Sequence, residues 1–116
     1  MKQFEIYLTD LNPTIGREQN GVRPVLILSN SYENSLFGII TIIPITSKKE
    51  GRRIYPNELF LENQLHKPSI LLCQQIRTIS KKRLIKKLTS IEDMEIRKQI
   101  IDITCYRFRE IENLKD

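Results

Sequence analysis

The polar residues that could do chemistry in this chain include an arginine and a threonine that each adjoin a predicted strand. Arg23 comes just before one buried strand and Thr46 just after the next, so both could lie on one rim of a small barrel. An arginine offers two parallel N–H donors to phosphate oxygens, and hydroxyl groups can complete a cradle for negative charge. This combination suits transesterification of RNA, in which the 2′-hydroxyl attacks its own phosphate. The simpler alternative for Arg23 is a salt bridge where the strand begins.

Other kinds of active site find little support in the sequence. His66 is the one histidine and precedes Lys67 and Pro68 in a predicted loop, so a histidine acid–base pair cannot form within one chain. The sequence lacks HExxH, paired CxxC, GxxxxGK[ST] and GxSxG motifs. We therefore expect neither a metal site nor a cofactor.

Positive charge is concentrated in two segments of the chain. The net charge is +5 and the isoelectric point lies near 9.4. The two segments contain Lys48, Lys49, Arg52 and Arg53 in one case, and Lys81, Lys82, Arg83, Lys86 and Lys87 in the other. Two such clusters in a small domain favour the phosphate backbone of a nucleic acid as partner. The alternative is a basic domain that binds nothing anionic.

The composition predicts one globular domain over residues 1–116, because 40% of the residues are hydrophobic and 28% are charged. Cys73 and Cys105 lack CxxC spacing and are expected to be buried free thiols in a reducing compartment. The N-terminus lacks the apolar run of a signal peptide, and no segment reaches the length of a membrane span. We therefore expect a cytoplasmic protein without membrane contact.

Short apolar runs predict a mainly β domain with one helix. Phe4–Thr9 alternates apolar and polar residues, as a half-buried strand does. Further strands are predicted at Val25–Leu28, Ile39–Ile43, Leu59–Leu61 and Ser69–Cys73, the last continuing towards Thr78. The stretch 12–21 contains turn-forming residues and is predicted to be a surface loop, where sites are often found.

The C-terminal quarter has the periodicity of a helix. Ser90 and Asp93 resemble a capping box at its start. Its apolar residues fall on two sides, with Ile96, Ile100, Ile103 and Ile111 on one and Met94, Ile101, Cys105 and Phe108 on the other. So wide an apolar band predicts two burial partners. The sheet can be one of them and a second copy of the chain the other, so we expect a homodimer.

Three motifs resemble those of a known family. The segment 10–25, DLNPTIGREQNGVRPV, closely resembles the N-terminal signature of the MazF/PemK toxins. Pro44–Ser47 is similar to the second motif of that family, and Gln75–Ile79 followed by Lys82–Leu84 is similar to the third. The resemblance covers nearly the whole chain, and the spacing between the motifs is intact.

The resemblance implies a five-stranded antiparallel SH3-like barrel with a smaller sheet and a C-terminal helix, assembled as a homodimer. It also implies the toxin of a type II toxin–antitoxin system, an endoribonuclease that cuts single-stranded mRNA at specific sequences without a ribosome or a metal ion. The products would be a 2′,3′-cyclic phosphate and a 5′-hydroxyl, and growth arrest would follow. A MazE-like antitoxin with a disordered acidic tail would block the RNA groove.

The resemblance also implies roles for individual residues. Arg23 and Thr46 match residues assigned to catalysis in one branch of the family, and Glu18 matches an acidic residue implicated in another. Arg23 is expected to stabilise charge, because a guanidinium pKa above about 12 makes proton abstraction difficult. Glu18 is either the base or a residue that holds Arg23 in place. The residues expected to line the RNA groove or to brace its loops are Asn12, Thr14, Gln19, Ser47, Gln75 and Arg77. The basic residues also expected to bind RNA are Lys48, Lys49, Arg52 and Arg53.

Gln74 departs from the family pattern, in which this position is commonly acidic, so a mechanism that needs a carboxylate there is excluded. Two alternatives remain open. The first is a chain that binds RNA or an antitoxin but has lost cleavage, with Gln74 as the lesion. The second is a CcdB-like toxin that binds gyrase through the end of the helix, although Arg109–Asp116 closes without the aromatic anchor expected of a binding hot spot.

Overall fold

The apolar runs of the sequence form strands. A computed structural model of the chain describes residues 1–110. In chain order these residues form β1 (Glu5–Asp10), β2 (Val22–Ile27), α1 (Ser31–Leu36), β3 (Ile39–Ser47), β4 (Leu59–Leu61), β5 (Ser69–Leu71), β6 (Arg77–Ser80), β7 (Leu84–Ser90) and α2 (Met94–Arg107). Short 3-10 turns at Cys73–Gln75 and Lys81–Arg83 precede β6 and β7. The predicted class, mainly β with a C-terminal helix, is confirmed.

The strands pair in antiparallel fashion around β3, the longest of them. The first half of β3 pairs with β2 and β6, and its last three residues pair with β5, which in turn pairs with β4. On the other side of β2 lie β1 and then β7. Within the described part of the chain, no pairing joins β6 to β7, so closure of the sheet into a barrel stays a prediction.

At Pro44, β3 changes its pairing partner. The pairing of β2 with β3 ends at Val25 opposite Pro44, and the carbonyl oxygen of Pro44 accepts a hydrogen bond from the Leu72 N–H at 2.9 Å. The carbonyl group of Pro44 therefore faces the β5 side of β3, and beyond this residue β3 is paired with β5 and not with β2. Arg23 and Thr46 lie inside β2 and β3, and the prediction that they lie just outside the strands is wrong.

Apolar side chains fill both faces of the sheet. On one face, residues of the sheet pack against α2; this cluster contains Phe4, Ile6, Leu26, Ile43, Ile45, Leu61, Leu71, Cys73, Ile91 and Ile100. On the other face, a smaller cluster contains Leu11, Val25, Ile27, Ile40, Ile42 and Ile79. Because β2 and β3 contribute alternate residues to the two clusters, their register is fixed by burial on both sides.

Helix α2 begins one residue after Asp93, whose Oδ1 accepts hydrogen bonds from the N–H groups of Glu95 and Ile96 at 2.9 and 3.2 Å. Asp93 is therefore the capping residue, and the predicted capping box starting at Ser90 is wrong, because Ser90 is still part of β7. Strand pairing with β1 holds Ser90 in an extended conformation.

The two predicted sides of α2 have different surroundings. Ile100 is buried, and Ile96 and Ile103 pack against the same cluster, as predicted. The second side is exposed and consists of Met94, Ile101, Cys105 and Phe108; Ile111 lies outside the described residues. Cys73 is buried as predicted, but the prediction that Cys105 is buried is wrong. Cys105 follows Ile100 by five residues, which turns it about 140° away from the buried side.

Sequence periodicity missed two elements and misjudged a third. Helix α1 has only six residues and is capped by Asn30, whose side chain accepts from the Glu33 N–H. Strand β7 carries exposed lysines among its apolar residues, which hides the alternation. The strand predicted to run from Ser69 towards Thr78 is interrupted by the turn Cys73–Gln75, so it becomes β5 and β6.

The central role of β3 can be tested with two substitutions in that strand. Ile43 is fully buried, so Ile43→Ala should lower the free energy of unfolding by about 2–5 kcal/mol through lost burial and a cavity. Ile39 is 56% exposed, so Ile39→Ala should change it by only about 0.5 kcal/mol. Chemical denaturation of both variants measures the difference. Equal losses would contradict the described burial of β3.

Candidate functional site

The loop between β1 and β2 is closed at its base by Asn12. The Leu11 N–H donates to the carbonyl oxygen of Gly21 at 3.0 Å, and the Gly21 N–H donates to Asn12 Oδ1 at 3.1 Å. Gly21 has a positive φ of 80°, a conformation that glycine adopts without strain. Asn12 therefore braces the loop, which is one of the two roles predicted for it.

Two arginines hold the same loop from the side of β6 and β7. Arg77 donates to the carbonyl oxygen of Leu11 at 3.5 Å. Arg83 donates to the carbonyl oxygens of Asp10, at 3.3 Å, and of Asn12. These contacts use guanidinium donors on backbone carbonyls, so Arg77 acts at least partly as a brace.

Arg23, near the start of β2, is oriented by residues of the preceding loop. Its Nε donates to the Asn20 carbonyl oxygen at 2.7 Å. The orientation of the Gln19 amide that satisfies both side chains lets its oxygen accept from Arg23 Nε at 2.7 Å and Nη1 at 3.1 Å. The other terminal nitrogen, Nη2, has no hydrogen-bond partner within residues 1–110. The guanidinium is thus fixed at one edge and free at the other.

Gln19 connects Arg23 to the turn before β6. The Gln19 N–H donates to Gln75 Oε1 at 2.7 Å. The same turn and loop enclose a smaller groove of about 280 Å³, lined among others by Arg17, Glu18, Gln19, Pro44, Gln75 and Arg77. Four of the predicted site residues, Glu18, Gln19, Gln75 and Arg77, therefore come together here.

A larger groove of about 600 Å³ lies on the other side of Arg23. Its lining includes Arg23, Pro24, Ile45, Ser47, Lys67 and Lys86. Gln19, which lines the smaller groove, is hydrogen-bonded to Arg23, which lines the larger one. No sequence motif assigns Lys67 or Lys86 to the site, and only the basic character of 81–87 points towards Lys86. His66, from the predicted loop, also lines this groove.

Thr46 lies opposite Arg23 if the register of β2 and β3 is continued. The last paired residues are Val25 and Pro44, and the same register extended by two residues aligns Arg23 with Thr46. Thr46 itself pairs with Ile70 of β5 and is partly exposed. Within the described residues, no hydrogen bond joins the side chains of Arg23 and Thr46, and Thr46 lines neither groove.

The remaining predicted loop residues have local contacts. Glu18 is exposed, and its Oε1 accepts from the Ile15 N–H at 2.9 Å, which closes a turn within the loop. No contact of Glu18 with Arg23 is seen among the described residues. Thr14 is partly exposed and lines neither groove.

The basic loop between β3 and β4 folds around a buried carboxylate. Arg52 donates to both oxygens of Glu58, at 2.7 and 3.0 Å, and Lys49 and Arg53 are exposed. The hydrogen bonds from Arg52 lower the pKa of Glu58 from 4.5 to about 2, although burial by itself would raise it. Arg52 is therefore engaged within the protein, whereas Lys49 and Arg53 face solvent.

Within residues 1–110, no three His, Cys, Asp or Glu side chains come together as a metal-binding group. The helices of the same residues include none with the length and apolar character needed to cross a membrane.

Comparison with known proteins agrees with the motifs. The family model described as the PemK-like, MazF-like toxin of type II toxin–antitoxin systems matches residues 2–100. This chain belongs to that family. The MazF-like chain is also 36% identical over 109 residues to a protein named endoribonuclease MazF from Staphylococcus saprophyticus, a match that covers 90% of each chain.

Solved structures share the fold of this MazF-like toxin. A crystal structure of MazF from Deinococcus radiodurans superposes with a TM-score of 0.79 at 23% identity, over 92% of this chain and 94% of the other. A mycobacterial endoribonuclease, solved in complex with its cognate antitoxin, superposes with a TM-score of 0.74 at 19% identity, over 91% and 92% of the two chains.

The contacts of Gln74 show why a neutral residue suits that position in this toxin. Gln74 Nε2 donates to Glu58 Oε2 at 3.1 Å. An acidic side chain at position 74 would instead place a second carboxylate within hydrogen-bond distance of a buried one, which is unfavourable unless one of them takes up a proton. The amide of Gln74 and the carboxylate of Glu58 are thus complementary.

Acid should weaken the fold through Glu58. Because its pKa is lower in the folded chain than the ordinary 4.5, its contribution to stability is complete above pH 4.5 and is lost as the pH falls towards about 2. Denaturant unfolding between pH 6 and pH 2.5 should show this loss, and Glu58→Gln should lack that part of it. An unchanged pH profile in Glu58→Gln would show that the carboxylate is not paired in the folded state.

Proposed function

We propose that this MazF-like toxin is an endoribonuclease that cuts single-stranded mRNA at specific sequences, independently of the ribosome and of metal ions. Its relative from Staphylococcus saprophyticus, 36% identical over 90% of each chain, is named an endoribonuclease. The observation that carries the proposal is the guanidinium of Arg23, which lines the larger groove, is fixed by Gln19 and Asn20, and keeps Nη2 without a partner among the described residues.

In the proposed reaction, the 2′-hydroxyl oxygen attacks the adjacent phosphorus and the bond to the 5′-oxygen breaks. The products are a 2′,3′-cyclic phosphate and a 5′-hydroxyl, which takes up a proton. Arg23 neutralises the charge that builds up on the phosphate oxygens, and Thr46 donates its hydroxyl from the opposite strand. A preorganised donor costs no rearrangement during the reaction, which is what the contacts with Gln19 and Asn20 provide.

Glu18 is the candidate base. Its alternative role is to hold Arg23 in place through the loop that precedes β2. One of its oxygens already accepts from the Ile15 N–H, and its side chain lines the smaller groove. The second oxygen is available to take the proton of the 2′-hydroxyl. The pH dependence of cleavage in Glu18→Gln separates the two roles, because only loss of a base removes the acidic limb of the rate profile.

The flanking RNA is proposed to follow the basic surface around the two grooves. Lys48, Lys49 and Arg53 lie in the loop after β3, and Lys67 and Lys86 line the larger groove. Cations so arranged bind phosphates without reading the sequence. Ser47 in the larger groove and Gln75 in the smaller one have polar groups for contacts with bases or sugars.

The proposed partners are a second copy of the chain and an antitoxin. The proposed dimer surface is the exposed side of α2, which consists of Met94, Ile101, Cys105 and Phe108. A monomeric mass in light scattering would rule out the dimer. Solved relatives include a MazE–MazF complex from Deinococcus radiodurans. We propose that a MazE-like antitoxin covers the basic grooves with an acidic tail, and that the free toxin acts in the cytoplasm and arrests growth.

The proposal predicts a specific loss in Arg23 variants. Arg23→Ala should lower the rate constant of cleavage by about 10²–10³, the usual effect of removing one charge-stabilising donor. Arg23→Lys keeps the charge but lacks the fork, so most of the loss should remain. Arg17→Ala removes the same charge from the neighbouring loop between β1 and β2 and should weaken only RNA binding. Purified variants, a long unstructured RNA and EDTA suffice for the measurement.

Three outcomes would contradict the proposal. Intact RNA at every protein concentration would indicate a chain that binds without cleaving. Loss of cleavage in EDTA would indicate a metal-dependent reaction. DNA breaks that depend on gyrase, with mRNA intact, would favour the CcdB-like alternative.

A further inference from the structure

Two adjacent glutamines in the turn Cys73–Gln75 connect the loop between β1 and β2 with the loop after β3. Gln75 Oε1 accepts from the N–H of Gln19 at 2.7 Å, in the loop that precedes Arg23. Gln74 Nε2 donates to Glu58 Oε2 at 3.1 Å, at the end of the loop after β3. The turn itself is held in place, because Cys73 is buried and the Gln75 N–H donates to the Leu72 carbonyl oxygen at 2.9 Å.

Glu58 is unusual for a charged residue at the end of an exposed loop, because it is only 5% exposed. Its carboxylate accepts from both terminal nitrogens of Arg52, from the Tyr55 N–H at 3.0 Å and from Gln74. A buried charge is tolerated only when it is paired and hydrogen-bonded in this way. These donors come from the loop itself and from the turn, so the carboxylate fixes the two relative to each other.

Arg52 extends this arrangement to the surface of the loop. Its guanidinium lies 5.8 Å from the centre of the Tyr55 ring, and the guanidinium of Arg53 lies 5.4 Å from the same ring. Arg52 is held by Glu58, whereas Arg53 is exposed. The ion pair at the base of the loop therefore supports the cations at its surface.

We propose that Glu58 is a positioning residue for RNA: through Arg52 it fixes the loop 48–57 so that Lys48, Lys49 and Arg53 meet the RNA beside the cleaved bond. Through Gln74 it sets this loop in a fixed place relative to the turn that holds Gln19 and Arg23. The proposal rests on the proposed nuclease function. In this proposal Arg52 supports the loop through Glu58, and Lys48, Lys49 and Arg53 bind the RNA.

A local readout that needs no RNA tests the anchoring directly. Trypsin cuts after lysine and arginine, and the loop contains Lys48, Lys49, Arg52 and Arg53. In Glu58→Gln, cleavage at these residues should become about tenfold faster, because losing one partner of a buried pair favours local opening. Cleavage at Lys86 and Lys87, in β7, should not change. Glu50→Gln removes the same charge from an exposed position of the same loop and should behave like the wild type.

The second readout is the kinetics of RNA cleavage. Glu58→Gln should raise KM for RNA by about tenfold and change kcat by less than about twofold, because the phosphate contacts become less ordered while Arg23 keeps its own partners. Arg52→Lys keeps every positive charge but not the fork, and should show the same increase in KM. This second variant also serves if Glu58→Gln fails to fold, since Arg52 is partly exposed.

The results separate this proposal from a general loss of stability. Faster cleavage by trypsin at all sites, with kcat lowered and KM unchanged, would show that Glu58 only stabilises the fold and would overturn the proposal. A wild-type tryptic pattern in both Glu58→Gln and Arg52→Lys would also overturn it. If the wild type does not cleave RNA at all, the nuclease function fails, whereas the tryptic result still decides whether Glu58 anchors the loop.

Discussion

The change of partner by β3 at Pro44 is the constraint on which the rest of the site depends. Up to that residue β3 pairs with β2, and beyond it β3 pairs with β5. The pairing with β2 therefore stops before Arg23 of β2 and Thr46 of β3, which the continued register would align. In the proposed reaction, the phosphate binds between this guanidinium and this hydroxyl.

The loop between β1 and β2 is held by side-chain amides, by backbone groups and by two arginines from β6 and the turn before β7. Asn12 closes the base of the first loop, Gln19 orients Arg23, and Gln75 joins this loop to the turn before β6. No carboxylate is paired with Arg23 within the described residues. An arginine oriented by amides keeps its full charge for an anionic ligand, whereas a salt bridge would neutralise part of it. At Arg52, where the guanidinium is paired with the carboxylate of Glu58, the arginine supports a loop.

Sequence reasoning was most successful where residues close in the chain determine the structure. Alternation of apolar residues located β1, continuous runs rich in β-branched residues located parts of β2 and β3, and helical spacing identified the buried side of α2 from Ile100. The motif 10–25 identified the family before any geometry was known. Local patterns could not show that β5 and β6 are separated by a turn, because Leu71 and Cys73 are equally apolar, and they could not distinguish Ser90 from Asp93 as the capping residue.

The site was predictable in its residue types but not in its connections. Gln74 could be recognised as a departure from the family pattern, but its partner, Glu58, lies sixteen residues away and only the fold brings the two together. Arg52 and Glu58 lie six residues apart in an irregular loop. The sequence of this loop has no hydrophobic periodicity from which their pairing could be predicted. Lys67 and Lys86 line the larger groove because separate parts of the chain meet there, and no motif includes both.

A crystal structure with bound RNA tests the central claim most directly. The RNA should contain a cleavage site mapped beforehand, with a single 2′-deoxynucleotide at that site so that it cannot be cut. The account predicts that the phosphate at the blocked site lies between β2 and β3, about 3 Å from Arg23 Nη2 and from the hydroxyl oxygen of Thr46. A phosphate bound on another surface, with Arg23 still contacting only Gln19 and Asn20, would contradict it.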